Sequence, residues 1–463
     1  MAIPTPAPSA ASAVPYTRNR RERNRIILAV VTGTTIEWYD FYLFSSLFLV
    51  LQDQFFPKGV GVDATQANYA VYTIAFVTRP LGALYFGRQG DLYGRKRAFF
   101  ATLLLMGAAT IGIGFLPPYA QIGIWAPMLL VLFRAVQGFA LGGEYGGAAT
   151  FIAENVPDAE RGFYTSFVQL TATLGFFVTL VVLFAIKSGM GEAAFTAWGW
   201  RFAWVASLFL LGISMYVRLR LRESPLWERL KAERRLSPDP VLESLDRTNR
   251  WKMVVALLGA TAGQGVVWYT AQFYTFLWMQ NSLHVPATVA GVVVAVALLC
   301  GMPFFIIVGQ LSDLIGRKPL IIGGNLLAAL AFYPLYRAMA SAANPLNPVL
   351  LTFLVFLQVL LVTLSYGPMA AFLVEQFSGR IRYTAASLPY HVGYGWFGGA
   401  VPLVAGFLVR GTGNLYAGLW FPILVAGLCG VFGLFFMKET QGIRIWAELG
   451  NQGRTPSGAT PRV

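Results

Sequence analysis

Apolar segments of roughly 20 or more residues recur along the whole chain, each long enough to cross a hydrocarbon layer about 30 Å thick. No other feature restricts the fold so strongly. Lipid offers no hydrogen-bond partners, so each spanning segment must pair its own backbone groups, which a helix does. Twelve cores are expected, near 26–50, 66–87, 98–116, 124–153, 162–186, 201–221, 253–280, 287–311, 319–341, 348–376, 383–409 and 416–437. Of the 463 residues, 56% are hydrophobic and 12% charged, and the mean hydropathy is +0.59, outside the range of a water-soluble domain. The expected fold class is an all-α membrane protein of twelve transmembrane helices.

A net charge of +14 invites a nucleic-acid reading, but the placement of the basic residues excludes it. They cluster on alternate loops: Arg18, Arg20, Arg21, Arg23 and Arg25 before the first core, Arg88, Arg95, Lys96 and Arg97 after the second, and ten more from Arg218 to Lys252. The opposite loops hold only Lys58, Lys187, Arg201, Arg337 and Arg410. By the positive-inside rule both termini are cytoplasmic. The Pro-, Ala- and Ser-rich start, MAIPTPAPSAASAVPYT, and the final GNQGRTPSGATPRV are expected to be disordered tails, the former no signal peptide. Cys300 and Cys429 fall inside spans, where a buried free thiol is expected. No nucleotide loop or nucleophile motif occurs, and two His and two Cys leave little for a metal site, so no cofactor and no enzymatic activity are expected.

The chain repeats itself. GRQGDLYGRKR (87–97) and GQLSDLIGRKP (309–319) agree at six of eleven positions with a shift of 222. Ala149, Phe151, Glu154 and Arg161 recur as Ala370, Phe372, Glu375 and Arg382, and RES (222–224) as KET (438–440). Two pseudo-symmetric six-helix bundles follow, at 26–221 and 251–437, between tails 1–25 and 438–463 and joined by a linker 222–250. Such halves suit alternating access about a midplane site.

The loop motif resembles the signature of the major facilitator superfamily, with Leu92 where a basic residue is usual. EWYDFYLF, TRPLGALYFG, FRAVQGFALGGEYGGAATFIAENVP, WGWRF and IRYTAAS more narrowly resemble its metabolite:proton symporters, from the first helix to the last. The resemblance implies the major facilitator fold, with helices 1, 4, 7 and 10 around a central cavity and solutes that are carboxylates or, alternatively, zwitterions such as proline or betaine. The repeated charges form two candidate gates on the cytoplasmic face: Asp91, Arg95, Glu154, Arg161 and Glu223 in the first half, and Asp313, Arg317, Glu375, Arg382 and Glu439 in the second. The plainer reading is that they anchor helix ends.

Five charged residues lie within spans: Glu37, Asp40, Arg79, Arg134 and Glu144. Each costs about 2.5 to 3.5 kcal/mol at the bilayer centre, so they should face a cavity or each other. Glu37 and Arg134 both fall near mid-membrane and are expected partners, either functional or purely structural. Glu37 and Asp40, three residues apart, would repel one another and form a proton site, with Glu144 next in line. Arg134, as the basic residue expected at the midplane, would grip a carboxylate, aided by Gln137. Arg79, before Pro80, is expected to be structural. In the second half Trp268, Tyr269, Gln272 and Tyr366 are expected to line the cavity, and His391 to be a hydrogen-bonded helix contact. The glycines of GGEYGG and GYGWFGG should serve close helix packing.

The reading is a secondary active transporter in a bacterial-type inner membrane, coupling a small organic solute to protons and working as a monomer in the bilayer. Its rival in another class is a non-transporting membrane sensor.

Overall fold

The computed structural model describes residues 20–56 and 64–446. Both expected tails, apart from residues next to the first and last helices, lie outside the described residues. Those described form a helical bundle whose long segments are α1 (Arg20–Ser46), α2 (Ala64–Val77 and Arg79–Tyr93), α3 (Arg95–Phe115), α4 (Trp125–Ala153), α5 (Asp158–Met190), α6 (Glu192–Leu219), α7 (Arg247–Asn281), α8 (Ala287–Ile315), α9 (Arg317–Ala342), α10 (Pro348–Glu375), α11 (Arg382–Thr412) and α12 (Ala417–Phe436). Ten of these are individually long and apolar enough to cross a membrane. The exceptions are α1, whose acids lower its hydropathy, and α2, which is interrupted at Thr78. Twelve membrane helices and no strand are thus found among the described residues.

The break in α2 has a local cause. Pro80 has no N–H to give to the preceding turn, and the Thr78 hydroxyl bonds sideways to the Ala135 carbonyl of α4 at 3.0 Å. The GGEYGG glycines lie where α4 presses on its neighbours: a Cβ at Gly142 would strike the α2 backbone. Gly393 and Gly398 likewise meet the backbone of α7. Wide i→i+5 turns occur in α7 at Leu257–Thr261 and Thr270–Tyr274 and in α11 at His391–Gly398. Such bulges commonly sit at functional sites.

Helices from the two halves of the sequence meet along α2–α11 and α5–α8, while α1 faces α7 through aromatic rings. Short helices Pro225–Ala232 and Pro240–Ser244 lie between α6 and α7. Cys429 is buried as expected, but Cys300 is exposed, because it lies on an outward face of α8.

Candidate functional site

The α2–α3 and α8–α9 turns share a construction. Gly94 and Gly316 have φ of 116° and 105°, a region that favours glycine, and lead directly into α3 and α9. Glu223 then caps α3 through the Lys96 N–H at 3.1 Å, and Glu439 caps α9 through the Arg317 and Lys318 N–H groups at 2.8 and 3.0 Å. Burial pushes the Glu223 carboxyl above its usual range. Burial acts the same way on Glu439, but backbone donors from Gln441, Arg317, Lys318 and Thr440 outweigh it and hold that carboxyl below the usual range.

The two expected charge networks exist, but each holds an arginine from the other half. Arg95 contacts Asp91 and Glu154, and Glu154 also takes Arg382 of α11 at 3.0 Å. Arg317 contacts Asp313 and Glu375 at 2.7 and 3.2 Å, and Glu375 takes Arg161 of α5 at 2.7 Å. Assigning Arg161 to the first network and Arg382 to the second is therefore corrected. Each lies near the start of a helix that crosses to the opposite carboxylate, a placement the repeat spacing does not reveal. The aspartates cross as well. Asp91 accepts from the Tyr383 N–H at 3.2 Å, the Thr384 N–H at 2.9 Å and the Thr384 hydroxyl at 2.6 Å, at the start of α11. Asp313 accepts from the Gly162 and Phe163 N–H groups, both at 2.8 Å, at the start of α5. A carboxylate on the unpaired N–H groups of a helix start is a charge-assisted cap. Here it joins the two halves of the chain.

Deeper in the bundle, a cavity is lined by Thr34, Glu37, Trp38 and Phe41 of α1, Arg79 of α2, Leu141, Glu144 and Tyr145 of α4, and Tyr390, His391 and Tyr394 of α11. Toward the end of α1 it is bounded by rings: Trp38 against Trp268 at 5.3 Å, Phe41 against Phe273 at 5.3 Å, and Tyr42 stacked on Phe273 at 5.6 Å. Another boundary is a tyrosine stack, with Tyr145 on Tyr390 at 3.5 Å between centroids and Tyr366 bonded to Tyr390 through their hydroxyls at 2.8 Å.

Several expected positions change. Glu37 does not pair with Arg134. Its carboxyl lies 4.0 Å from Arg218, the guanidinium that also holds Glu144 at 2.6 Å. Arg134 instead meets Asp40 at 3.8 Å, donates to Gln137 at 2.8 Å and covers the Phe44 ring at 4.0 Å. Glu37 and Asp40 are thus not one repelling pair: although three residues apart, each lies beside its own arginine, Arg218 for Glu37 and Arg134 for Asp40. Arg134 and Gln137 are not among the cavity-lining residues. Arg79, expected to be structural, is among them, packed over the Phe76 ring at 4.4 Å. His391 also lines the cavity and has no hydrogen-bond partner on either ring nitrogen, contrary to the expected helix contact. Trp268 and Tyr269 stand one ring layer behind, Tyr269 at 5.2 Å from Tyr394. Gln272, in the second wide turn of α7, is buried away from the lining. Arg218, counted with the linker charges from sequence, is buried and bonded to Glu144 at 2.6 Å. Only its place at the end of an apolar run hinted at this. Among the described residues no cluster of side chains could hold a metal ion.

These features define a polytopic transporter. Residues 26–249 match the family model described as sugar (and other) transporter, and residues 269–451 that of the Major Facilitator Superfamily. The chain is 34% identical over 424 residues to the glycine betaine/proline/ectoine/pipecolic acid transporter OusA of Dickeya dadantii, covering 90% of this chain and 83% of that protein. It is 35% identical to the inner membrane metabolite transport protein YhjE of Escherichia coli, covering 90% and 95%, and 31% identical to the alpha-ketoglutarate permease of the same species, covering 92% and 96%. The solved proton:xylose symporter XylE bound to 6-bromo-6-deoxy-D-glucose shares the fold, with a TM-score of 0.78 at 18% identity, covering 93% and 99%. The chain belongs to the major facilitator superfamily, among its sugar and metabolite transporters. It is a multi-pass membrane protein that transports metabolites and is not an enzyme.

Proposed function

We propose that the chain is a proton-coupled symporter of a small organic solute bearing a carboxylate, working by alternating access. The observation that carries this reading is the convergence of Arg79, Glu37 and Glu144 on one central cavity. A guanidinium can hold a carboxylate through two parallel hydrogen bonds. While Glu37 carries a proton, Arg79 is left for the solute; once Glu37 ionises, it competes for the same charge. Proton and solute then favour each other's binding, which is the linkage a symporter needs. Asp40, with Arg134 and Gln137, is the second buried acid that could carry the proton.

A zwitterion such as betaine or proline is the second reading. The aromatic faces of Trp38, Phe41, Tyr390 and Tyr394 line the same cavity, and such faces attract an ammonium group. The relatives named above include transporters of both solute types.

In this reading, the locks centred on Asp91 and Asp313 hold one face shut and part when that face opens. The basic loops make it the cytoplasmic face, with both termini there, in the inner membrane. Residues 26–221 and 251–437 are the rocking bundles, 222–250 the linker, and one chain suffices.

The test is uptake into liposomes holding the purified protein, with 2-oxoglutarate, proline and glycine betaine as probes and an inward pH gradient. Accumulation that collapses with a protonophore supports coupling. Glu37→Gln should abolish accumulation while exchange persists. Full accumulation by both Glu37→Gln and Asp40→Asn defeats the proton role of α1.

A further inference from the structure

We infer that Arg218 is a positioning residue for proton coupling: it holds Glu144 as a fixed anion, so that the exchangeable proton resides on Glu37. This rests on the proton role proposed for Glu37.

The geometry is asymmetric. Glu144 receives three hydrogen bonds, from Arg218 at 2.6 Å, Thr34 at 3.2 Å and Thr102 at 3.0 Å. Glu37 receives none of these, and its Oε1 has no hydrogen-bond partner. Arg218 is itself fixed: it donates to the Phe99 carbonyl at 2.7 Å, lies 3.5 Å from the Phe99 ring centroid and packs on Gly33, where a Cβ would collide with the guanidinium. All three charged residues are buried, with 3% (Glu37), 2% (Glu144) and 1% (Arg218) of their surface exposed.

Two buried carboxyls at 4.0 and 2.6 Å from one guanidinium cannot both be ionised cheaply, so one takes a proton. The carboxyl with three donors is better satisfied as an anion, because a proton on one oxygen takes up acceptor capacity that those donors use. The protonated Glu37 can then donate its O–H to Glu144. Loss of that proton leaves two carboxylates facing one fixed guanidinium. Other charged or titratable groups around the pair are Arg79 on α2, Tyr145 on α4, and Tyr383, Tyr390, His391 and Tyr394 on α11. Arg79 is the remaining cation on the cavity wall. It can offset the ionised Glu37, whereas Arg218 is committed to Glu144.

The test needs no solute. Infrared difference spectra of the purified protein in lipid, recorded across pH, report the carboxylic C=O band. Wild type should show a titrating band that Glu37→Gln removes. Arg218→Gln should move its midpoint up by one pH unit or more, because a cation that favours ionisation is gone. Arg218→Gln with Glu144→Gln removes one charge of each sign and should bring the midpoint back toward wild type. Arg218→Lys should leave it nearly in place, and it serves with the double variant if Arg218→Gln does not fold. A band that belongs to Glu37 but keeps its midpoint in Arg218→Gln overturns this inference alone. If Arg218→Gln does not fold, a band that disappears on Glu144→Gln and persists in Glu37→Gln overturns it equally. No band sensitive to Glu37→Gln, with accumulation intact, removes the proton role on which it rests.

Discussion

Asp91→Asn tests whether the crossed contacts hold one face closed. Asp91 accepts from Arg95 within its own half and from three donors at the start of α11. Asparagine keeps a single acceptor oxygen and turns an NH2 toward donors, so about two of the three crossing bonds are lost. A hydrogen bond to a charged group contributes about 1.5–3 kcal/mol. Losing two therefore costs at least about 3 kcal/mol in the state where they form, and that is a shift of roughly a hundredfold toward states where they do not. The Asp313 contacts and the Arg161 and Arg382 pairs remain, so the protein should still fold. The assay is alkylation of a cysteine at Ser387, which packs against Gly146 between α11 and α4, in a Cys300→Ser, Cys429→Ser background. A membrane-impermeant maleimide added from the basic-loop side should react many times faster in Asp91→Asn. Equal rates with an unchanged melting profile would refute the reasoning and leave Asp91 as an anchor of the α2–α3 turn.

Charge reversal across the lock gives a second measurement: Arg161→Glu should abolish uptake, and Glu375→Arg in the same chain should recover part of it, since the two meet at 2.7 Å. Arg79→Lys retains charge without the planar fork and should raise the KM for a carboxylate solute tenfold or more, whereas Arg134→Lys should act chiefly on pH dependence through Asp40; an unaltered KM in Arg79→Lys counts against the bidentate contact. Because the Glu439 carboxyl is held below its usual range, its cap on α9 stabilises the fold above the unfolded value of about 4.3 and is lost as pH falls through the lower folded value. The melting-temperature gap between wild type and Glu439→Gln in detergent should therefore be full at neutral pH and close below about pH 4; a gap independent of pH contradicts the cap.

Backbone physics made the fold legible in the sequence. An unbroken apolar run of about 20 residues crosses lipid as a helix, so hydropathy located the spans, and the internal repeat at a shift of 222 marked the two loop motifs and their carboxylates. The cost of charge in hydrocarbon singled out Glu37, Asp40, Arg134 and Glu144 in the same way. Partner choice was not legible, because it depends on how helices distant in sequence rotate and cross. Rotation of α1 turns Glu37 toward Glu144 and Arg218 and leaves Asp40 to Arg134. Packing of α2 against α11 brings Arg79 to the cavity wall, and the α5–α8 and α2–α11 crossings exchange Arg161 and Arg382 between the two networks. One-dimensional spacing records which side chains share a helix face, but contacts across helices are decided by shape and charge in three dimensions.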